Sequence, residues 1–154
     1  MDLRRSLPTN GVYIERTLVG VKYLVVHHSG VVTDSSAWSI ANYHINTQGW
    51  PGIGYHFLVH QDGMIEYVGD IHQVRYNVAS RNHEIIGICL PGNWMYVSPP
   101  AAQLISTKVL LKALRRVLNR PVPTVAHWEI AVPGWETECC GDTYEDDWKY
   151  KIAA

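Results

Sequence analysis

"YLVVHHSG", residues 23–30, is an apolar, β-branched run that stops abruptly at two histidines, a serine and a glycine. Together with Val21 and Lys22 it predicts a strand over residues 21–28, closed by a turn signal. Successive side chains of a strand point to opposite faces, so His27 and His28 diverge at its end and do not readily serve one site together. What that strand end is for depends on what the rest of the chain brings to it.

Working outward, helical and strand-like patterns alternate. Residues 33–49, "TDSSAWSIANYHINTQG", predict a helix capped by Asp34 or Ser35, with Trp38, Ile40, Ala41 and Ile45 on its apolar face and Gly49 as its stop. "GYHFLVHQDGMIEYVG", residues 54–69, reads as a hairpin turning at Asp62-Gly63. "EIIGICLPG", residues 84–92, reads as a buried strand closed by Pro91-Gly92. Residues 99–119 form a long amphipathic pattern in which Leu104, Leu111, Leu114 and Leu118 recur at helical spacing, with basic residues toward the C-terminal end. "VPTVAH", residues 122–127, is a second strand ending in histidine, and residues 142–152 suit a final helix capped by Asp142. This alternation predicts an α/β fold, one sheet with helices packed on it.

Composition narrows the function classes. A chain of 154 residues with 47% hydrophobic and 18% charged residues is long enough to bury a core as one domain. A net charge of −1 gives no general attraction to nucleic acid, which is not expected as a partner. Three cysteines, two of them adjacent, do not make a disulfide framework. Neither a signal-peptide core nor a run of about 20 apolar residues is present, so synthesis in a reducing cytoplasm and no membrane insertion are expected. No repeat, linker or low-complexity segment breaks the pattern.

Two strand-like runs thus end in histidine, at His27 and His127, and "ETECCGD", residues 136–142, places two thiols in a glycine-flanked loop. Zinc accepts imidazole nitrogen and thiolate sulfur, and catalytic sites keep three protein ligands with one open position. On spacing alone, packed histidines and buried thiols are the commoner reading of such residues.

The runs "HHSG" (27–30), "YHINTQGWPGIGYHFLVHQDGMIEYVG" (43–69), "IIGICLPG" (85–92) and "AHWEIAVPGWETECCG" (126–141) resemble, in order, the type-2 family of zinc-dependent N-acetylmuramoyl-L-alanine amidases. That family includes phage T7 lysozyme and the peptidoglycan recognition proteins, and the likeness runs from about residue 22 to 141. It implies a single catalytic domain over residues 1–154, a central mixed β-sheet flanked by α-helices, without a separate wall-binding module. It implies one Zn2+ per chain held by His27, His127 (in the "AH-x-E" context with Glu129) and Cys139. Cys140 stands where proline is usual. Tyr55 and Thr137 are implied as catalytic groups, near the reacting water and as oxyanion donor respectively; a core tyrosine is the plainer reading of Tyr55.

The remaining histidines are expected elsewhere: His44 packed against the Gly-Trp turn, His56 turned away from the metal, His60 and His72 facing solvent, His83 in a loop. Cys89 is expected as a small buried hydrophobe, where some relatives carry glutamate. The segment "NVASRN" (77–82) departs from the usual "H-A-x-G-x-N", which leaves Arg75, Asn77 and Trp94 as groove residues or surface-loop residues. The implied activity is hydrolysis of the bond between the lactyl group of N-acetylmuramic acid and L-alanine in bacterial peptidoglycan. The implied setting is a monomeric phage endolysin, made in the host cytoplasm and reaching the wall through a membrane lesion. A non-catalytic recognition module and a cytoplasmic amidase recycling soluble muropeptides are the alternatives.

Overall fold

Alternation in the strands decides the layering. In the computed structural model, which describes residues 1–153 apart from the side chains of Asp146 and Asp147, one sheet contains five strands. They are β1 (Tyr23–His28), β2 (Phe57–Val59), β3 (Ile65–Tyr67), β4 (Ile85–Leu90) and β5 (Thr124–Ala126), in the order β3-β2-β4-β1-β5. All neighbours pair in parallel except β2 and β3, the antiparallel hairpin. Among the described residues four α-helices accompany them: α1 (Ala37–Asn46), α2 (Ala101–Leu118), α3 (His127–Ile130) and α4 (Lys149–Ile152).

Leu24 and Val26 of β1, Phe57 and Val59 of β2, and Ile86, Ile88 and Leu90 of β4 point to one face. There they pack with Leu104, Leu111, Leu114 and Leu118 of α2 and with Tyr144, Trp148 and Ile152. The intervening residues point the other way: Leu58 and Cys89 meet Ala37, Ile40 and Ala41 of α1, while Val25 and Ile85 meet Val78 and Ile130. Every residue of β4 is buried, as a central parallel strand covered on both faces should be. The α/β expectation, a central mixed sheet flanked by helices, therefore holds. No helix among the described residues is long and apolar enough to cross a membrane.

Local chemistry corrects several sequence expectations. The cap of α1 is Ser36, whose Oγ accepts from Ser39 N–H at 3.2 Å. Asp34 is not the cap because its carboxylate serves His60 and Gln61 instead. The buried stripe of α1 is Ala37, Ile40, Ala41 and His44, and Trp38 is 49% exposed, because 37, 40, 41 and 44 share one side of a helix. Asp142 caps nothing: the chain enters a π-helical turn over Tyr144–Trp148, then α4, and Thr143 Oγ1 donates to Trp94 O. The hairpin turns where expected, with Gly63 at φ +91° and Met64 N–H donating to Asp62 Oδ1.

His60, expected in solvent, is 6% exposed. Its two ring nitrogens meet two carboxylates, Asp34 at 2.7 Å and Glu66 at 2.9 Å. The parallel strands share one carboxyl edge, the usual place for sites in open α/β sheets.

Candidate metal centre

Three elements meet at that edge. β1 places His27 on the face it shares with Val25, while His28 points to the opposite face, where its Nδ1 accepts from Trp94 N–H at 3.3 Å. β5 runs beside β1 with Ala126 opposite Val26, so His127, the next residue, comes level with His27. Glu129 secures this strand-to-helix turn: its Oε2 accepts from Ala126 N–H at 2.6 Å, and its Oε1 from Lys149. The loop after α3 then returns to the same edge. Trp128 N–H donates to Cys139 O at 2.7 Å, Cys139 N–H to Thr137 Oγ1 at 3.2 Å, and His28 N–H to Cys139 Sγ at 3.4 Å.

The outcome is one cluster: His27, His127 and Cys139, with a donor atom of each within 4.8 Å of the others. The His27 and His127 ring centres are 4.7 Å apart. His27 Nδ1 lies 3.6 Å from Cys139 Sγ. Bonds of about 2.0–2.1 Å to nitrogen and about 2.3 Å to sulfur, at a tetrahedral angle, set those two atoms about 3.6 Å apart. The donor types and this separation fit zinc.

Electrostatics favour neutral imidazoles. Burial, then the neighbouring His127, holds the His27 pKa well below its ordinary value, and burial lowers that of His127 to about 4. Both rings therefore offer a lone pair at neutral pH. Burial pushes the Cys139 thiol up to about 12, against the pull of His28 N–H. A divalent cation would have to displace that proton, coupling metal affinity to pH. Cys140 is fully buried in the α2-side core and lies outside the cluster.

Two clefts open beside the cluster. One, of about 460 Å³, is lined by His127, Asn77, Gln48, Trp50, Tyr76 and Trp135 among others. The second, of about 400 Å³, is lined by Tyr55, Ser29, Ser39, Tyr43 and His44 among others. The Tyr55 ring centre is 5.2 Å from that of His27. Burial, followed by the Cys89 and Cys139 thiols, raises the phenol pKa well above normal and keeps it protonated. Thr137 lines a separate depression with Trp128 and Glu138.

Of the three expected groove residues, Asn77 lines the first of these clefts. Arg75 is 7% exposed, its guanidinium over the Tyr13 ring at 4.1 Å and donating to Ile53 O. Trp94 is 6% exposed and donates Nε1–H to Leu90 O. Both are drawn inward because each finds apolar cover and a backbone acceptor there. The other histidines have their own partners. His44 Nδ1 accepts from Gly54 N–H and its ring meets Trp50 at 4.7 Å. His56 accepts from Gly87 N–H and donates to Gln73 O. His72 is exposed beside Asp70, and His83 lies exposed in a 3-10 turn, Asn82–Glu84. The sequence reading missed Glu129 as the brace of the turn that carries His127, and missed Asn77 as a partner of His27. The "AH-x-E" spacing was the available signal for the first.

Comparison with known proteins follows the same lines. The family model described as N-acetylmuramoyl-L-alanine amidase matches residues 17–142. Peptidoglycan recognition protein 1 of Bos indicus is 33% identical over 99 residues, covering 59% of this chain and 52% of that protein. The N-acetylmuramoyl-L-alanine amidase of Homo sapiens is 31% identical over 136 residues, covering 80% of this chain and 23% of its own length. The chain thus spans about half of the first relative and under a quarter of the second. Among solved structures, the Ph2119 endolysin from the Thermus scotoductus bacteriophage Ph2119 superposes with a TM-score of 0.80 at 26% identity, over 94% of this chain and 92% of that one. With a family match that runs through every element carrying the cluster, the chain belongs to the type-2 N-acetylmuramoyl-L-alanine amidase family.

Proposed function

We propose that this chain is a zinc-dependent amidase that hydrolyses the amide between the lactyl group of N-acetylmuramic acid and L-alanine in bacterial peptidoglycan. The observation that carries the reading is the three-donor cluster of His27, His127 and Cys139, set between two clefts. Two imidazoles and one thiolate hold zinc and leave a fourth position, the arrangement of a catalytic rather than a structural site. Zinc in such a site supplies Lewis acidity and a bound water acidified toward a pKa of about 7.

The chain's own residues do the rest. The burial that depresses the two histidines keeps their lone pairs available without a proton to remove. Tyr55, held neutral beside His27, orients the attacking water or donates its phenolic proton toward the reacting amide. Thr137 Oγ1 accepts from Cys139 N–H and so braces the Cys139 loop; the oxyanion role that the family resemblance implies for its hydroxyl requires the substrate to reach the depression it lines with Trp128 and Glu138. Trp50, Tyr76 and Trp135 give the larger cleft apolar, aromatic walls suited to a sugar or peptide face.

All three donors come from one chain, which suits a monomeric catalyst. The similarity to a phage endolysin supports a lytic role at the cell wall. Product analysis on purified peptidoglycan tests the reading: new L-alanine amino termini should appear without new reducing sugar ends. A chelator should stop that release and added zinc restore it. Binding to the wall with no release would mean a recognition module, as the similarity to peptidoglycan recognition protein 1 allows. Turnover confined to soluble muropeptides would mean a recycling enzyme.

A further inference from the structure

His27 divides its two ring nitrogens between different partners. Nε2 lies 2.9 Å from Asn77 Oδ1, and Nδ1 lies 3.6 Å from Cys139 Sγ. The far end of the same amide settles which atom of Asn77 faces the ring. Asn77 Nδ2 donates to Gly54 O at 2.7 Å, a place where the amide oxygen would instead confront another oxygen. An amide oxygen only accepts, so the hydrogen in the 2.9 Å contact belongs to His27 Nε2. A neutral imidazole has one N–H, so Nδ1 is left bare and faces the thiol.

We propose that Asn77 is a positioning residue: it holds His27 in the Nε2–H tautomer and so makes Nδ1 the metal-facing nitrogen. The proposal rests on the reading of His27, His127 and Cys139 as a zinc site and adds a part that the three donors do not supply. Metal-bound histidines commonly donate their second N–H to a fixed acceptor, which sets ring orientation as well as tautomer.

The surroundings are built to keep Asn77 in place. Its backbone N–H, and that of Val78, donate to Asn82 Oδ1 at 2.8 and 2.9 Å. Gly87 of β4 faces the amide: a Cβ there would lie 2.4 Å from Oδ1 and 2.7 Å from Nδ2. Gly54, which supplies the anchoring carbonyl, has Tyr76 O only 2.2 Å from where its own Cβ would stand. Three chain segments thus leave one slot of amide size against the ring. A neutral amide also supplies an acceptor without a buried carboxylate, which would favour the protonated ring over the ligand form.

Two-bond 1H–15N correlation spectra of the metal-free full chain, labelled at histidine, test this directly. His27 should show a protonated Nε2 and a bare Nδ1. Asn77→Leu should lose that single tautomer, and its zinc dissociation constant, measured against a competing chelator, should rise about 10–100-fold. Asn77→Asp keeps an acceptor against Nε2 and should retain the proton there, but it sets a carboxylate against the ring and an oxygen against Gly54 O, so its zinc affinity should fall between those of wild type and Asn77→Leu. A dominant Nδ1–H form in the wild type overturns the proposal. So does an Asn77→Leu chain that binds zinc as tightly as wild type. Should Asn77→Leu fail to fold, the wild-type spectrum and Asn77→Asp still decide the matter. A wild type that shows Nε2–H but binds no zinc confirms the tautomer assignment and sinks the metal reading instead.

Discussion

His27 and His60 occupy similar places and have opposite electrostatics. Each is buried at the carboxyl end of a parallel strand, β1 and β2 respectively. His60 has Asp34 on one nitrogen and Glu66 on the other, and Glu66 is itself buried. Both carboxylates ask for a donor, so each favours a hydrogen on the ring nitrogen that it faces. Burial alone would lower its pKa; the hydrogen bonds and charges of Glu66 and Asp34 outweigh it and the net shift is upward. His27 has burial and His127 acting in the same downward direction, with only the Asn77 amide against them. Burial is common to both rings, and the number of facing carboxylates decides which is drawn toward the charged form and which keeps a lone pair. His60 ties the loop before α1 to the hairpin, and the His27 ring is available to a metal.

Removing a donor from the neutral cluster should have the largest effect. Cys139→Ala is expected to lose stoichiometric zinc and more than about 10²-fold in activity, while Cys140→Ala keeps its metal. Metal analysis of the two purified variants checks this, and full zinc in Cys139→Ala would reject the assignment. Tyr55→Phe should fold and hold zinc while turnover drops about 10²–10⁴-fold. Near-normal turnover would reduce Tyr55 to a packed aromatic residue.

The charged side of the comparison is tested by stability. His60→Ala strands two carboxylates, one of them buried, and should cost about 3–5 kcal/mol. In the metal-free chain His27→Ala takes a neutral partner from the Asn77 amide and from the Cys139 thiol, strands no charge, and should cost less, about 1–3 kcal/mol. Urea unfolding of both variants ranks them, and the reverse order would break the contrast.

The pH response is the smallest effect and the most discriminating. The raised pKa of His60 means that its stabilisation is complete below about pH 6.5, the unfolded value, and is lost as pH rises through the higher folded value. His56 is the opposite case. Its folded pKa is lowered to about 3 by burial and then by Arg16, so its contribution is complete above about pH 6.5 and is lost as pH falls toward 3. The stability gap between wild type and His60→Gln should therefore narrow as pH is raised from 6 to 9. A gap that stays constant would mean that His60 is not charged.

Much of the fold was legible because its signals are local. β1 and β4 are short apolar runs bounded by turn signals, and Leu104, Leu111, Leu114 and Leu118 of α2 lie buried where helical spacing put them. The hairpin turn at Asp62-Gly63 was legible for the same reason: the backbone at Gly63 needs a positive φ. The motif order also named His27, His127 and Cys139, residues up to 112 positions apart that the structure brings into one cluster. The errors fell where a side chain had a choice of partner. Asp34 could cap α1 or bind His60, and Arg75 and Trp94 could face the groove or turn inward.

Taken alone, then, the sequence determined the elements, the sides they bury and the types of donor available. Those follow from residue type and short-range spacing, which are written along the chain. Only the tertiary structure decided which partner faces each nitrogen of His27, what holds the Cys139 thiol in place, and which buried histidine meets carboxylates. Each of those depends on a partner from a distant segment, Asn77, the His28 backbone, or the Asp34 and Glu66 carboxylates, brought within about 3 Å of the group it controls, the range over which hydrogen bonds act.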